Sequence, residues 1–224
     1  MNTASLYPRV TPAEESRLLK QLFAHDPKRL SAFHAFSQVA FADGVLSLRF
    51  KELIAVSLAS ITGCPYCIDL HVIRAKEAGG TLEEIVETSA VAAAVQAYAA
   101  FALSTNTLQA FYGQTLTDLY SVSNLEMLDS ISSIHERIYD AQFDFIHSVL
   151  VDEGHISEKD KLLIAVGCAQ VSGSAYAIEY FTHRAAAAGI QAEQLAEVGL
   201  LAAALKAGSA IAHQLNTIFA FERE

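Results

Sequence analysis

The chain has 224 residues, and its 52% apolar content is enough to form a buried core. With 15 basic against 25 acidic residues, the formal charge is −10 and the basic residues form no cluster, so nucleic acid is not an expected partner. The chain start lacks the pattern of a secretory signal, and the most apolar segment, 90–103, is shorter than the roughly 20 residues that cross a bilayer. We therefore expect a cytoplasmic protein without a membrane partner, whose three cysteines form no structural disulfide framework.

Apolar residues recur at helical spacing along nearly the whole chain, and the alternating pattern of strands is scarce. The sequence therefore predicts an all-α fold. In chain order, the predicted helices cover residues 12–23, 29–42, 48–61, 65–78, 82–103, 108–120, 125–151, 158–171, 176–188 and 192–216.

Capping signals support several of these boundaries. Ser47 and Ser157 stand where an N-cap is needed, and Thr81 followed by Glu84 predicts a capping box. Glycine commonly ends a helix in the left-handed backbone conformation. The glycines that we expect to act in this way include Gly44, Gly79 and Gly154.

The chain contains an internal repeat with an offset of 110 residues. Segment 51–80 aligns with 161–190 without a gap, and positions 51–87 contain 15 identities at this offset. The sequence thus predicts an all-α, duplicated helical unit. Its predicted parts are an N-terminal helical extension (1–30), a first repeat (31–104), a polar connecting segment (105–130) and a degenerate second repeat (131–224).

The duplication separates residues that serve the common fold from residues that are free to serve chemistry. The two copies share many apolar residues, glycines and Tyr66, whereas the cysteines and the histidine of the stretch GCPYCIDLH, together with Glu52 before it, occur in the first copy alone. The unshared pairs are Glu52/Leu162, Cys64/Ser174, Cys67/Ala177 and His71/Phe181. We therefore expect one active repeat and one scaffolding repeat.

The two cysteines of this stretch are predicted at a helix start. Gly63 ends one helix and Pro65 suits the first turn of the next, so Cys64 falls near the N-cap and Cys67 near the third helical position. Free amides and the positive helix end stabilise a thiolate there. Two cysteines at this spacing can also close a disulfide without large backbone movement.

A proton acceptor accompanies the thiols. His71 lies one helical turn after Cys67 on the same face, and Glu52 on the preceding helix can orient the imidazole. These features do not decide which sulfur is the nucleophile. The helix end favours Cys64, whereas proximity to His71 favours Cys67.

The pattern resembles the alkylhydroperoxidase D-like proteins of the carboxymuconolactone decarboxylase superfamily. It consists of Glu52, eleven residues, Cys64, Pro-Tyr, Cys67, three residues and His71, followed by Ala-Gly at 78–79. The resemblance covers residues 31–103 and, in degenerate form, 141–213. It implies an all-helical fold that forms a homo-oligomer, for which we expect a trimer, and a peroxidase that reduces hydroperoxides without a cofactor or metal.

The resemblance also assigns roles. It implies that Cys67 attacks the hydroperoxide, that Cys64 captures the sulfenic acid as a disulfide, and that Glu52 with His71 relays protons. A dithiol partner, such as a lipoylated or thioredoxin-like protein, then reduces the disulfide. This chain departs from alkylhydroperoxidase D at Tyr66, where that protein has a histidine, and in carrying the motif in its N-terminal repeat. Because the second copy also has a tyrosine here, we interpret Tyr66 as a packing residue.

Two alternatives use the same residues. The protein could exchange disulfides with partner proteins without significant peroxide turnover. It could instead be a non-catalytic helical oligomer that binds a small ligand or zinc, since Glu52, Cys64, Cys67 and His71 are all acceptable zinc ligands. The decarboxylase branch of the superfamily is disfavoured because its members do not need a C-x-x-C pair. Cys168 matches Leu58 of the first copy and is predicted to lie in the core.

Overall fold

The computed structural model describes residues 12–113 and 120–222. These ranges contain ten α-helices and no strand, which confirms the all-α prediction. The helices are α1 (Pro12–His25), α2 (Pro27–Phe41), α3 (Leu48–Thr62), α4 (Pro65–Glu77), α5 (Leu82–Ala102), α6 (Ser104–Phe111), α7 (Val122–Leu150), α8 (Glu158–Ser172), α9 (Ala175–Ala187) and α10 (Ala192–Phe221).

The boundaries differ most from the prediction around the polar connecting segment. The helix expected at 108–120 begins at Ser104 instead and ends at Phe111. Gly113 follows with a φ of 73°, a left-handed conformation that stops a helix. The remainder of that predicted helix, residues 114–119, lies outside the described residues, as do residues 1–11 of the N-terminal extension.

The helices follow the offset of 110 residues along the whole described chain. When 110 is added to its residue numbers, α3 covers the range of α8, and α4 covers that of α9. In the same way α5 and α6 together cover the range of the single helix α10. The offset also places α1 and α2 on the two halves of α7, which is interrupted by non-helical backbone at His135 (φ −155°, ψ 76°). The duplicated unit is therefore also visible in the helices that precede residue 31.

The two central helices, α3 and α8, form the middle of the core. Residues 51–59 and 161–169 are buried without interruption, which is expected of a helix covered on all sides. They pack against each other and against α5 and α10. Each repeat therefore depends on the other to bury its central helix.

Within residues 12–113 and 120–222, two helical segments are long and apolar enough to cross a membrane by length and composition alone. They are Leu82–Phe111 and Ala192–Ile218, with mean hydropathy of 1.4 and 1.5 in their most apolar windows. Both are longer than the segment 90–103 that stands out in the sequence. Each lies along α3 and α8, which accounts for the apolar residues on its inner face.

A glutamate on α10 binds the loop that precedes α3. The carboxylate of Glu197 accepts hydrogen bonds from the amides of Val45 (2.8 Å) and Leu46 (3.1 Å). It also pairs with Lys51 Nζ at 3.0 Å, and this ammonium donates to the carbonyl of Ala42. The second repeat thereby holds the loop and the central helix of the first.

A glutamate of the first repeat binds the second repeat in the same way. Glu87 on α5 accepts hydrogen bonds from the amides of His155 (2.6 Å) and Ile156 (3.1 Å) before α8. Its carboxylate pairs with Lys161 Nζ at 2.7 Å, and Lys161 donates to the carbonyl of Asp152. The two repeats are thus joined by reciprocal, largely buried ion pairs.

This arrangement corrects the interpretation of two glycines. Gly79 does adopt a left-handed backbone, with a φ of 88°, but Gly44 and Gly154 do not. A Cβ atom on Gly44 would overlap the carboxylate of Glu197, and one on Gly154 would overlap that of Glu87. Glycine is needed at these two positions for the close approach of a side chain from the other repeat, which the local sequence does not reveal.

The N-caps agree with the sequence. Ser47 and Ser157 accept amide hydrogen bonds at the starts of α3 and α8, and Thr81 with Glu84 forms the predicted capping box. The predicted N-caps are therefore confirmed. They could be predicted from the sequence because an N-cap contacts residues only three positions away.

The two bridging glutamates make the fold sensitive to acid. Burial by itself raises the pKa of Glu87 and Glu197, but hydrogen bonds from the lysines and the backbone amides outweigh it and hold both pKa values below the ordinary 4.5. A lowered folded-state pKa means that each carboxylate contributes its full stabilisation above the unfolded-state pKa. That stabilisation is lost as the pH falls through the folded-state pKa.

We expect Glu197→Gln to lower the free energy of unfolding at pH 7 by about 3 kcal/mol, because it leaves the ammonium of Lys51 buried without its counter-charge. Urea unfolding at pH 7 and at progressively lower pH measures this. The difference from wild type should begin to shrink near pH 4.5 and disappear as the pH falls through the lowered folded-state pKa of Glu197, where wild type also loses the pair. The control is Glu77→Gln, an exposed glutamate at the end of α4. Equal midpoints for the two variants at pH 7 would contradict the stabilising role of the pair.

Candidate active site

The sulfur of Cys64 caps the helix that carries the motif. Gly63 ends α3 in the left-handed conformation (φ 66°), and Pro65 is the first residue of α4. Cys64 is the N-cap, and its Sγ accepts a hydrogen bond from the amide of Cys67 at 3.3 Å. In the second repeat Ser174 Oγ caps α9 by the same bond to the amide of Ala177, also at 3.3 Å. The predicted position of Cys64 is confirmed, and a serine can replace it as a cap.

The two cysteines of the motif are joined as a disulfide, and their Cα atoms lie 5.3 Å apart. They differ in access. Cys64 is completely buried, whereas Cys67 is 7% exposed and lines a cavity that Cys64 does not reach. A molecule in this cavity can therefore approach the sulfur of Cys67 but not that of Cys64.

A buried acid–imidazole pair lies next to the dithiol. His71 Nδ1 is 2.7 Å from Glu52 Oε2, and both side chains are almost completely buried. The ring of Phe41 stacks on the imidazole with centroids 5.2 Å apart, and Arg74 Nη1 lies 4.0 Å from Glu52 Oε1. An ionised Glu52 accepts the Nδ1 proton, so Nε2 is the ring atom left to exchange a proton with another group. The sequence predicted this pair, but it gave no indication of the stacked Phe41.

The cavity beside Cys67 has a volume of about 270 Å³. His71 and Cys67 line it together with side chains of α1, α2 and α10, most of which are apolar. Helix α1 belongs to the segment that the sequence marked as an N-terminal extension, and α10 belongs to the second repeat. The site is therefore built from both repeats, although its titratable residues come from the first alone.

Tyr66 links the motif to the second repeat. Its side chain lines the cavity, and its hydroxyl donates a hydrogen bond to Asn216 Oδ1 on α10 at 3.2 Å. The matching Tyr176 is buried, and its hydroxyl accepts a hydrogen bond from Asn124 Nδ2, which also donates to Asn106, the repeat partner of Asn216. Tyr66 thus makes a polar contact with the second repeat, in addition to the packing role inferred from the sequence.

The zinc alternative lacks a suitable ligand set in the described part of the chain. Among residues 12–113 and 120–222, no three His, Cys, Asp or Glu side chains are arranged to hold a metal ion. Cys168 is completely buried, and burial raises the pKa of its thiol to about 12. Its predicted place in the core is confirmed.

Fold and site together define an all-α, duplicated protein with one C-x-x-C dithiol. Comparison with known proteins agrees, because the carboxymuconolactone decarboxylase family matches the chain twice, at residues 27–110 and 136–218. The chain belongs to this family, which includes alkylhydroperoxidase D-like peroxidases and decarboxylases. The two-repeat resemblance inferred from the sequence is confirmed.

Two curated relatives are similar over part of the chain. "Uncharacterized protein 4 in cox locus" of Paracoccus denitrificans is 52% identical over 71 residues, which are 32% of this chain and 64% of that protein. An uncharacterized protein of Cupriavidus necator is 36% identical over 89 residues, which are 40% of this chain and 77% of that protein. The match thus spans less than two thirds of the Paracoccus protein, and neither description names an activity.

In the reduced protein we expect iodoacetamide to modify Cys67 about tenfold faster than Cys64, because only Cys67 lines the cavity and access controls thiol reactivity. Fragment-ion mass spectrometry of the peptide that contains both residues measures the two rates. Cys168, which is completely buried, is the internal control and should remain unmodified. Equal rates of iodoacetamide modification at Cys64 and Cys67 would contradict the conclusion that only Cys67 is accessible from the cavity.

Proposed function

We propose that this protein is a cysteine-based peroxidase that reduces hydroperoxides through a Cys64/Cys67 dithiol–disulfide cycle. One observation carries the proposal. The dithiol has one sulfur in a cavity that is also lined by His71, whose imidazole is held by the buried carboxylate of Glu52. Family membership supports this reading, since the family includes peroxidases of this kind.

The first step takes place at Cys67. His71 accepts the thiol proton, and the thiolate attacks the terminal oxygen of the hydroperoxide. The S–O bond forms as the O–O bond breaks, so that Cys67 becomes a sulfenic acid. The proton held by His71 passes to the leaving alkoxide, which departs as an alcohol. Glu52 acts as a positioning residue, because it holds Nδ1 and leaves Nε2 as the ring atom that exchanges the proton.

The second step closes the disulfide. Cys64 attacks the sulfur of the sulfenic acid, the S–S bond forms, and the S–O bond breaks with release of water. The Cα separation of 5.3 Å lies within the range that a disulfide spans, which supports closure of the bond at this helix start. A dithiol reductant, such as a lipoylated or thioredoxin-like protein, then supplies two electrons and two protons and is itself oxidised to a disulfide.

The setting of the enzyme is part of the proposal. We infer a cytoplasmic location, where dithiol reductants are maintained, and a homo-oligomer, for which a trimer is the expected state. Large apolar side chains that remain exposed, among them Val39, Ile73 and Val86, are available for contacts between copies of the chain. Sedimentation velocity at micromolar protein should give three times the mass of the chain, and a monomer would contradict this part of the proposal.

We expect reduced wild type to consume hydroperoxide and form the Cys64–Cys67 disulfide. Cys64→Ser should accumulate sulfenic acid at Cys67, because its helix cap is retained but no thiol remains to capture the acid, whereas Cys67→Ser should be inactive. Stopped-flow oxidation and intact-protein mass spectrometry measure both outcomes. Cys168→Ser is the matched control and should keep the wild-type rate. Rapid exchange with dithiols and no reaction with peroxide would instead favour disulfide exchange with partner proteins.

We also expect Glu52→Gln to lower the second-order rate of Cys67 oxidation about tenfold or more, because the imidazole loses its ionised partner. The pH profile of this rate should change as well, which a purely structural defect would not cause. Glu77→Gln provides the control of equal chemistry at an exposed site. An unchanged rate and pH profile in Glu52→Gln would exclude Glu52 from the relay.

A further inference from the structure

The hydrogen bond to Glu52 fixes one atom of the His71 imidazole but does not fix the plane of its ring. Nδ1 lies 2.7 Å from Glu52 Oε2, while Nε2 is the atom that exchanges the proton in the proposed reaction. The torsion that turns a histidine ring joins an sp³ carbon to an sp² carbon, and such torsions have broad minima. A second contact is therefore needed to keep Nδ1 at the carboxylate throughout the reaction.

The ring of Phe41 supplies this second contact. Phe41 is the last residue of α2, and its ring lies nearly parallel to the imidazole, with an interplanar angle of 13° and a centroid distance of 5.2 Å. Stacking of this kind is a favourable arrangement of two aromatic rings. A rotation of the imidazole out of its plane would disrupt the stack and the hydrogen bond to Glu52 together.

The position of Phe41 is itself held from α3. Lys51, the residue before Glu52, donates a hydrogen bond to the carbonyl of Ala42, the residue after Phe41. Both Lys51 and Glu52 are almost completely buried. Two adjacent residues of α3 thus hold the end of α2 and the imidazole on α4 by separate contacts, and the aromatic stack joins the two.

The second repeat keeps one part of this arrangement and lacks the other. Lys161 donates to the carbonyl of Asp152 at 2.8 Å, so the contact between lysine and backbone is shared. The stack is not shared, because Val151 stands at the position of Phe41, and Phe181 at that of the imidazole. The lysine contact therefore belongs to the common fold, whereas the ring at position 41 accompanies the titratable residues of the first repeat.

We propose that Phe41 is a positioning residue, whose ring keeps the imidazole of His71 in the plane in which Glu52 holds Nδ1. The inference rests on the proposed peroxidase function for its effect on the reaction rate, and it adds to that function a residue outside the C-x-x-C motif. Phe41 exchanges no proton itself. It acts through His71, by limiting rotation of the ring that accepts the thiol proton of Cys67 and passes it to the leaving alkoxide.

Nuclear magnetic resonance tests this positioning in the disulfide form of the protein. With isotope-labelled histidine, the Nδ1 proton held between His71 and Glu52 should give a downfield signal that is absent from Glu52→Gln. In Phe41→Leu this proton should exchange with water about tenfold faster than in wild type, because the ring can turn away from the carboxylate. Phe41→Tyr keeps the aromatic ring and should exchange at the wild-type rate.

The matched control is Phe36→Leu, the same change on α2 at a half-buried residue outside the cavity wall, and its Nδ1 signal should match wild type. If Phe41→Leu does not fold, Phe41→Met replaces it, because the flexible methionine side chain fills the space of the ring without its planar face. Wild-type exchange in Phe41→Leu, or equally fast exchange in Phe41→Leu and Phe41→Tyr, overturns the inference.

Reaction rates separate this inference from the proposed function. Oxidation of reduced Phe41→Leu by hydrogen peroxide, followed by stopped flow, should be about fivefold slower than that of wild type. Phe41→Tyr should recover the rate, and Phe36→Leu should not change it. If wild type does not react with peroxide but exchange of the Nδ1 proton depends on Phe41, the peroxidase proposal fails and the positioning of His71 stands. If wild type reacts and Phe41→Leu keeps its rate, the peroxidase proposal stands and the role of Phe41 in the reaction is overturned.

Discussion

The two repeats hold each other through glutamates that stand at matching positions on α5 and α10. Glu197 neutralises Lys51 and binds the loop before α3, while Glu87 does the same for Lys161 and the loop before α8. Removing either partner of a buried ion pair leaves an uncompensated charge, so the pairs strongly constrain where these helices can lie. With α10 fixed near its start, the rest of this helix runs along the motif of the first repeat and reaches Tyr66 through Asn216. The cavity beside Cys67 depends on this placement.

The two repeats have the same helical arrangement but bury different kinds of side chain at the positions of the motif. The first repeat buries the polar pair of Glu52 and His71, which is costly to desolvate and is stabilised by their mutual hydrogen bond. The second repeat has Leu162 and Phe181 at these positions, and both are buried in the apolar core. The helix caps are conserved in function, since Cys64 and Ser174 accept the same amide bond. At these positions only the first repeat therefore has groups that can move a proton, while the second has packed apolar side chains.

The proposed chemistry gives the inactive half a function of its own. A single repeat of this kind would leave the cavity without the wall that α10 supplies, and Cys67 would face solvent on that side. Enclosure by α1, α2 and α10 limits access to the sulfur of Cys67, which is oxidised first in the proposed mechanism. The titratable residues of the cavity and part of its apolar wall thus come from different repeats of one chain.

The sequence alone determined the helix periodicity and the N-caps. It also determined the spacing of the four motif residues, which are Glu52, Cys64, Cys67 and His71. These features depend on residues within a few helical turns, or on an identity pattern that survives in both repeats. The identity of Glu87 with Glu197 indicated a shared role for these two glutamates. It did not indicate that they pair with Lys161 and Lys51 of the other repeat. Only the tertiary structure decided the close approach at Gly44, the packing of Phe33 against Gly208 and the participation of α1 in the cavity. Each of these joins residues distant in the sequence, and their contacts are set by helix packing, which local patterns do not encode.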